Sequence, residues 1–355
     1  MAYTTIDDPS AHFQTALYNG SSSSVTVTND GNSNLKPDWL WFKRRSGTAS
    51  DHNVFDTSRG LTERLFPNLT SASDTTSDNG ITSLTDGFTT GTSYGNVNGN
   101  GETFVTWQWK ANGGTTTTNA AGANGADHES VYQANDTAGF SIVTYTSDAA
   151  SGDTVIKHGL STAPTFMIHK ARNANSTLWW VYHKDLTNDG YMQLDDTTAN
   201  QDGSTNVWRN TAPTSTVFKV GLNSIANANG RTMVAYCFAP VQGYSKFGRY
   251  TGNGNADGPF VYTGFKPAWL MYKTTGVNNW NLLDAKRSPF NVADKNFYPD
   301  GSNAEMTSTK ADFLSNGFKI KTSDNQSNTS GTTYVYMAFA ESPFVSSEGV
   351  PTTAR

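Results

Sequence analysis

The chain has 355 residues and a formal net charge of −5, and no basic cluster exceeds Lys43-Arg44-Arg45, which argues against a protein that tracks phosphates. Nine Trp, nineteen Phe and fifteen Tyr are ample core material and exclude a disordered chain. A charged fraction of only 15%, with Thr, Ser, Asn and Gly filling the space between short apolar runs, does not suit a helical enzyme and points to strands and turns.

The opening MAYTTIDDPS has neither a basic n-region nor an apolar h-region, so no secretory signal is expected. No apolar run reaches bilayer-spanning length, and a membrane-embedded chain is not expected. LKPDWLWFKRR at 35–45 reads as the lead-in to a core strand. Pro37 lacks an N–H and holds the residue before it extended, which suits a strand's first position. LTERLF at 61–66 has the spacing of about one helical turn. In FVTWQWKA at 104–111, Val105, Trp107 and Trp109 share one strand face while Thr106 and Gln108 share the other. Residues 113–137 carry few bulky apolar side chains and much Gly, Ala, Asn and Thr, the composition of a linker. Strand patterns return at TAPTFMIHKAR (162–172), TMVAYCFAP (232–240), FKPAWLMYKTT (265–275) and YVYMAFAES (334–342). KADFLS at 310–315 reads as a second short helical turn. The single cysteine, Cys237, has no partner for an internal disulfide and reads as a small buried hydrophobe.

These patterns recur in register. Phe88, Phe218 and Phe318 lie 51, 54 and 51 residues after Pro37, Pro164 and Pro267. Trp109, Phe238 and Phe339 lie 72, 74 and 72 residues after the same prolines, and Tyr18, Tyr145 and Tyr250 precede them by 19, 19 and 17. The expected fold is therefore all-β: three tandem antiparallel β-sandwich repeats, jelly-roll or lectin-like, of about 100 residues each. The expected boundaries are 1–112 for repeat 1 with a short N-terminal arm, 113–137 for the linker, 138–240 for repeat 2, 241–345 for repeat 3 and 346–355 for a C-terminal tail.

The same register singles out polar residues. Asp56, His183 and Asp284 follow their prolines by 19, 19 and 17, with Arg59 and Arg287 close behind the two acids. Together with Trp208 and Trp280, two tryptophans in polar surroundings, they are the candidate ligand-binding residues. The six histidines show no metal-ligand spacing, and there is no nucleophile elbow, phosphate loop or dinucleotide fingerprint. NGNADG at 253–258 has Asn where a calcium loop begins with Asp, and Gly264 where the bidentate Glu belongs, so it reads as a turn. No catalytic residue, metal or cofactor is expected. An acid pair in the second repeat, Asp195 or Asp196 with Asp202, is what a glycan depolymerase would have to use.

KPDWLWFKRRS, HNVFDTSRG, LFPN, DGFTTG and FVTWQWKA in the first repeat, with AGFSIVTYTS, TVIKHGLSTAPTFMIHKAR and WWVYHKDL in the second, resemble the repeated domain of virion-associated proteins of tailed phages, the marine type above all. Gly139, His158, Gly159, Leu160, Ala163, Pro164 and Lys170 carry the resemblance most specifically; the third repeat lacks the HGL triplet and joins by spacing. The resemblance implies a non-enzymatic virion structural protein made in the host bacterial cytoplasm. Its expected role is that of a tail-fibre or tail-associated host-attachment component, with a capsid decoration or head-fibre protein as the alternative. Other tail or capsid proteins are the implied partners, with a host-surface glycan or outer-membrane receptor, and a homotrimer stays open.

Overall fold

The computed structural model describes residues 3–21, 23–75, 80–92, 95–147, 153–203, 207–221 and 227–353. The first part of the chain forms β1 (Phe13–Asn19), β2 (Thr26–Val27), β3 (Trp39–Arg44), β4 (Asn53–Asp56) and β5 (Gly60–Leu65). β6 (Asp74–Thr75), β7 (Ile81–Ser83), β8 (Phe88–Thr90), a single helical turn at Gly95–Asn98 and β9 (Thr103–Trp109) follow. The middle part forms β10 (Thr117–Asn119), β11 (Ser130–Asn135), β12 (Phe140–Thr146), β13 (Thr154–Lys157) and β14 (Phe166–Ala171). It continues with β15 (Trp180–His183), β16 (Met192–Gln193), β17 (Val217–Val220) and β18 (Thr232–Phe238). The last part forms β19 (Ser245–Thr251), β20 (Phe260–Tyr262), β21 (Phe265–Thr274) and β22 (Asn281–Asp284). β23 (Ala293–Phe297), β24 (Met306–Leu314), β25 (Gly317–Ile320) and β26 (Thr333–Pro343) complete it.

The strands pair antiparallel into three large sheets, and the order of connections recurs. The first runs β1-β9-β3-β4-β5-β6, the second contains β12-β18-β14-β15-β16, and the third contains β19-β26-β21-β22-β23. The last strand of each in chain order, β9, β18 or β26, sits in the middle between the opening strand and the proline-led strand. That placement explains the spacing of aromatic anchors, because the register brings Trp39 opposite Trp109, Phe166 opposite Phe238 and Trp269 opposite Phe339. Pro37 and Pro164 precede their strands by two residues, whereas Pro267 lies inside β21 at a register shift, where a missing N–H breaks no ladder bond.

Each large sheet is covered on both faces. On one face the side chains of all three sheets meet in a common apolar cluster that includes Trp39, Trp109, Phe140, Phe238, Trp269 and Phe339. Trp39 stacks on Tyr236 at 4.6 Å, Phe238 meets Phe339 at 6.0 Å, and Trp109 meets Phe339 at 5.6 Å and Trp269 edge-on at 5.6 Å. Aromatic pairs at such separations contribute beyond their buried area. On the opposite face each sheet has its own cluster, around Phe42 and Phe88 in the first, Met167 and Phe218 in the second, and Tyr272 and Phe318 in the third. Burial on both faces is why polar residues such as Thr106, Gln108 and Ser141 are also fully enclosed.

Two expectations about local structure are corrected. LTERLF and KADFLS lie in strands, β5 and β24, because cross-strand pairing outweighs a helical spacing too short to close successive turns. The stretch 113–137, expected as a linker, carries β10 and β11, and β11 pairs along its whole length with β12. Its small and polar residues suit a covering strand at the sheet edge rather than a free spacer.

Candidate functional site

The candidate residues stand where one large sheet abuts the next. At the end of β4, Asp56 accepts from the Arg59 backbone N–H at 2.9 Å and pairs with the Arg59 guanidinium, both side chains wholly buried. Tyr236 of β18 donates its hydroxyl to the same carboxylate at 2.7 Å, joining the second sheet to the first. At the end of β22, Asp284 is held in the same way by Arg287, and Trp107 of β9 donates its indole N–H at 3.0 Å, joining the first sheet to the third. At the end of β15 the residue is His183, whose Nε2 lies 3.3 Å from the Tyr336 carbonyl of β26, joining the third sheet to the second. Its Nδ1 accepts from the Asp185 backbone N–H, so Nε2 carries the proton. Burial drives its pKa down to about 4 and keeps the ring neutral. The physical reason for the exchange of acid for histidine is visible across the seam: Met337 occupies in β26 the position that Trp107 and Tyr236 occupy in β9 and β18, and it offers no donor.

A second set of contacts closes the same circle. The residue before β4, β15 and β22 is His52, Trp179 and Trp280, and each bonds with its ring N–H to a backbone carbonyl of the preceding sheet's segment. His52 reaches Tyr298 at 3.1 Å, Trp179 reaches Phe66 at 2.8 Å and Trp280 reaches Gln193 at 2.7 Å. Their backbone N–H groups donate to Asn68, Asp195 and Asp300 at 3.0, 3.1 and 2.9 Å. Trp280 is fully enclosed here, and Trp208 packs beside His169 and Tyr182, so neither is the exposed contact residue expected from its polar neighbours in sequence. The Trp280→Phe variant keeps an aromatic ring of smaller size and loses the bond to Gln193. We expect it to lower the unfolding free energy by about 1–2 kcal/mol with an unchanged denaturant slope, because a buried carbonyl is left unmatched.

Sequence reasoning assigned no structural role to three lysines. Lys43, Lys170 and Lys273 each follow their proline by six residues and are all fully buried. Their ammonium groups donate to backbone carbonyls: Lys43 to Ser50 and Ser302, Lys170 to Thr177, and Lys273 to Thr197 and Thr198 among others. Desolvation lowers their pKa values to about 7, about 8 and about 8. The fixed spacing was the available signal, but a lysine on a strand is usually read as solvent-facing.

Asp195 is the carboxylate counterpart of Asn68. Burial pushes its pKa up to about 6 against the pull of the nearby Lys170 ammonium, and its Oδ2 has no hydrogen-bond partner while Oδ1 takes the Trp179 N–H. A raised carboxyl ionises more readily in the unfolded chain, so its contribution is most favourable below pH about 4 and is lost as pH rises through about 6. The Asp195→Asn variant, copying Asn68, is therefore expected to gain about 1–3 kcal/mol at pH 7.5 and nothing at pH 3.5. Denaturant titrations at both pH values measure the difference. Asp202 accepts the Thr187 hydroxyl at 2.5 Å, and the NGNADG segment is held by Asn253 and Asn255 side chains bonding backbone N–H groups two residues on.

Among the described residues, no group of three or more His, Cys, Asp and Glu side chains is placed to hold a metal ion, and no helix is long and apolar enough to cross a membrane. Cys237 is buried and its thiol is pushed up to about 12 by desolvation. Two open grooves lie elsewhere. One, of about 410 Å³, runs beside β1 against Lys286 and Pro289. Another, of about 670 Å³, runs between β19 and β20 against Lys184 and Asp185. Neither is lined by Asp56, Arg59, His183, Asp284 or Arg287.

No curated protein and no solved structure matches the chain. A family profile does, over residues 8–343, and by that match the chain belongs to the family described as domain of unknown function DUF7483.

Proposed function

We propose that the chain is a non-enzymatic structural protein of a tailed-phage virion, serving on the tail as a component of host-surface attachment. The observation that carries the reading is the use made of the polar side chains the sequence singled out. Asp56, Arg59, His183, Asp284 and Arg287 are enclosed between sheets and bonded across them, which is the work of a rigid scaffold. The resemblance in KPDWLWFKRRS and GFSIV…HGL…AP supplies the virion setting. Three sandwich repeats over 1–112, 138–240 and 241–345 account for the recurring strand order and anchor spacing.

A capsid decoration is the second reading, favoured by one observation: three sheets arranged around one aromatic cluster have the shape of a trimer, suited to a threefold axis of a shell. Searching for the chain by cryo-electron microscopy in purified particles of the phage that encodes it tests both. Density at the distal tail supports attachment, density tiled on the capsid supports decoration, and absence from the particle overturns both.

A further inference from the structure

The second sheet has something the other two lack. β11 lies along the open side of β12, pairing antiparallel from Ser130 opposite Tyr145 to Asn135 opposite Phe140. It fills the slot between β12 and β13, where the Ser130 hydroxyl donates to the Lys157 carbonyl. Its Gln133 side chain reaches across to Thr57 and Ser58, in the turn after β4 of the first sheet. By strand order, the corresponding slots are the one beside β1, facing the turn after β22, and the one beside β19, facing the turn after β15. Those slots are the two grooves described above, lined by Ala285 and Lys286 in one and by Lys184 and Asp185 in the other.

The β1 slot is narrowed by a loop that Gln14 ties down, through bonds to the Ser33 carbonyl and the Gly31 N–H. The β19 slot is open. Bonds from Ala340 N–H to the Tyr244 carbonyl and from Gly252 N–H to the Thr332 carbonyl fix the alternation along β19. The backbone N–H and C=O groups of Phe247, Arg249 and Thr251 therefore point away from β26, as those of Ile142 and Thr144 point toward β11. Among the described residues no strand pairs with that side of β19. The Tyr262 carbonyl, counterpart of the Lys157 carbonyl that β11 engages, is held instead by the Lys246 ammonium at 2.7 Å. The groove carries Lys184, Lys246 and Arg249 against one acid, Asp185, and Phe260 and Tyr262 on its far wall are half exposed. Gly248, the counterpart of Val143 that faces Tyr132 in the second sheet, has no side chain, and the Tyr336 ring on the paired strand lies over it and lines the groove.

We propose that the open edge of β19, with the groove between it and β20, is an acceptor for one extended strand of a partner protein bearing an aromatic residue flanked by carboxylates. The aromatic ring enters the groove beside Tyr336 and packs on Phe260 and Tyr262; the carboxylates meet Arg249 and the Lys246 ammonium released from Tyr262. The inference stands on strand pairing and holds whether the chain sits on tail or capsid.

The test uses the full chain and a labelled peptide with the sequence of residues 128–137, HESVYQANDT, which supplies Tyr132 between Glu129 and Asp136. Fluorescence anisotropy is expected to show saturable binding, with amide exchange slowed at Phe247, Arg249 and Thr251. Arg249→Pro removes an outward N–H and is expected to abolish binding, and Arg249→Glu, a change at an exposed position, to weaken it at least tenfold. Four results each overturn the proposal: no binding at millimolar peptide, binding undiminished in both variants, protection appearing at 140–146 through displacement of β11, or binding of an anionic glycan such as heparin without the peptide.

Discussion

Replacing Arg59 by Ala is expected to lower the unfolding free energy by about 3–5 kcal/mol, the usual consequence of leaving one charge of a buried pair behind. The loss is large because the Asp56 carboxylate is wholly buried and keeps only the Tyr236 hydroxyl and the Arg59 backbone N–H as hydrogen-bond partners, with Arg172 the nearby cation that remains. Asp56→Asn in the Arg59→Ala background is expected to recover more than 1 kcal/mol, since the uncompensated charge is gone although the seam stays weakened. Arg287→Ala should behave alike, with Trp107 in the place of Tyr236. Guanidinium titrations of the four proteins measure these differences, and a loss of under about 1 kcal/mol for Arg59→Ala would mean that the pair is not closed off from water in solution.

Trp109→Ala is the second large effect, at about 3–5 kcal/mol for truncating a fully buried aromatic. Trp109 touches Phe13 and Trp39 of its own sheet and Trp269 and Phe339 of the third, so the cavity opens on two sheets at once. Calorimetry is expected to show one transition, shifted to lower temperature as a whole. A variant that unfolds in two steps, with the second sheet melting last, would show that the common cluster does not couple the sheets.

Much of the fold was legible because the aromatic anchors kept their spacing. Strand pairing makes a register of one residue matter, and Trp39, Phe166 and Trp269 can face their partners only if the intervening loops conserve length parity. Burial of polar residues was not legible. Asp56, His183 and Asp284 were singled out by position, and as candidate ligand-binding residues they were expected to be accessible. A sheet covered on both faces has no outer surface, and that depends on which segment comes to lie over it. The same holds for 113–137, where composition suggested slack chain and the open edge of β12 supplied a template. Trp280 shows the limit from the other side: its neighbours are polar because they bond to one another and to the seam, not because they meet water.

The head-to-tail contacts between the three sheets form a ring that closes within a single polypeptide. Three separate subunits meeting in this way would dissociate on dilution, and any change in one would appear in all. A continuous chain escapes both constraints: its closure is independent of concentration, and each sheet is free to diverge alone. That freedom lets one slot be sealed by β11, a second be narrowed by a loop and the third stay open, so that the molecule presents a single direction to its surroundings despite being built in threes.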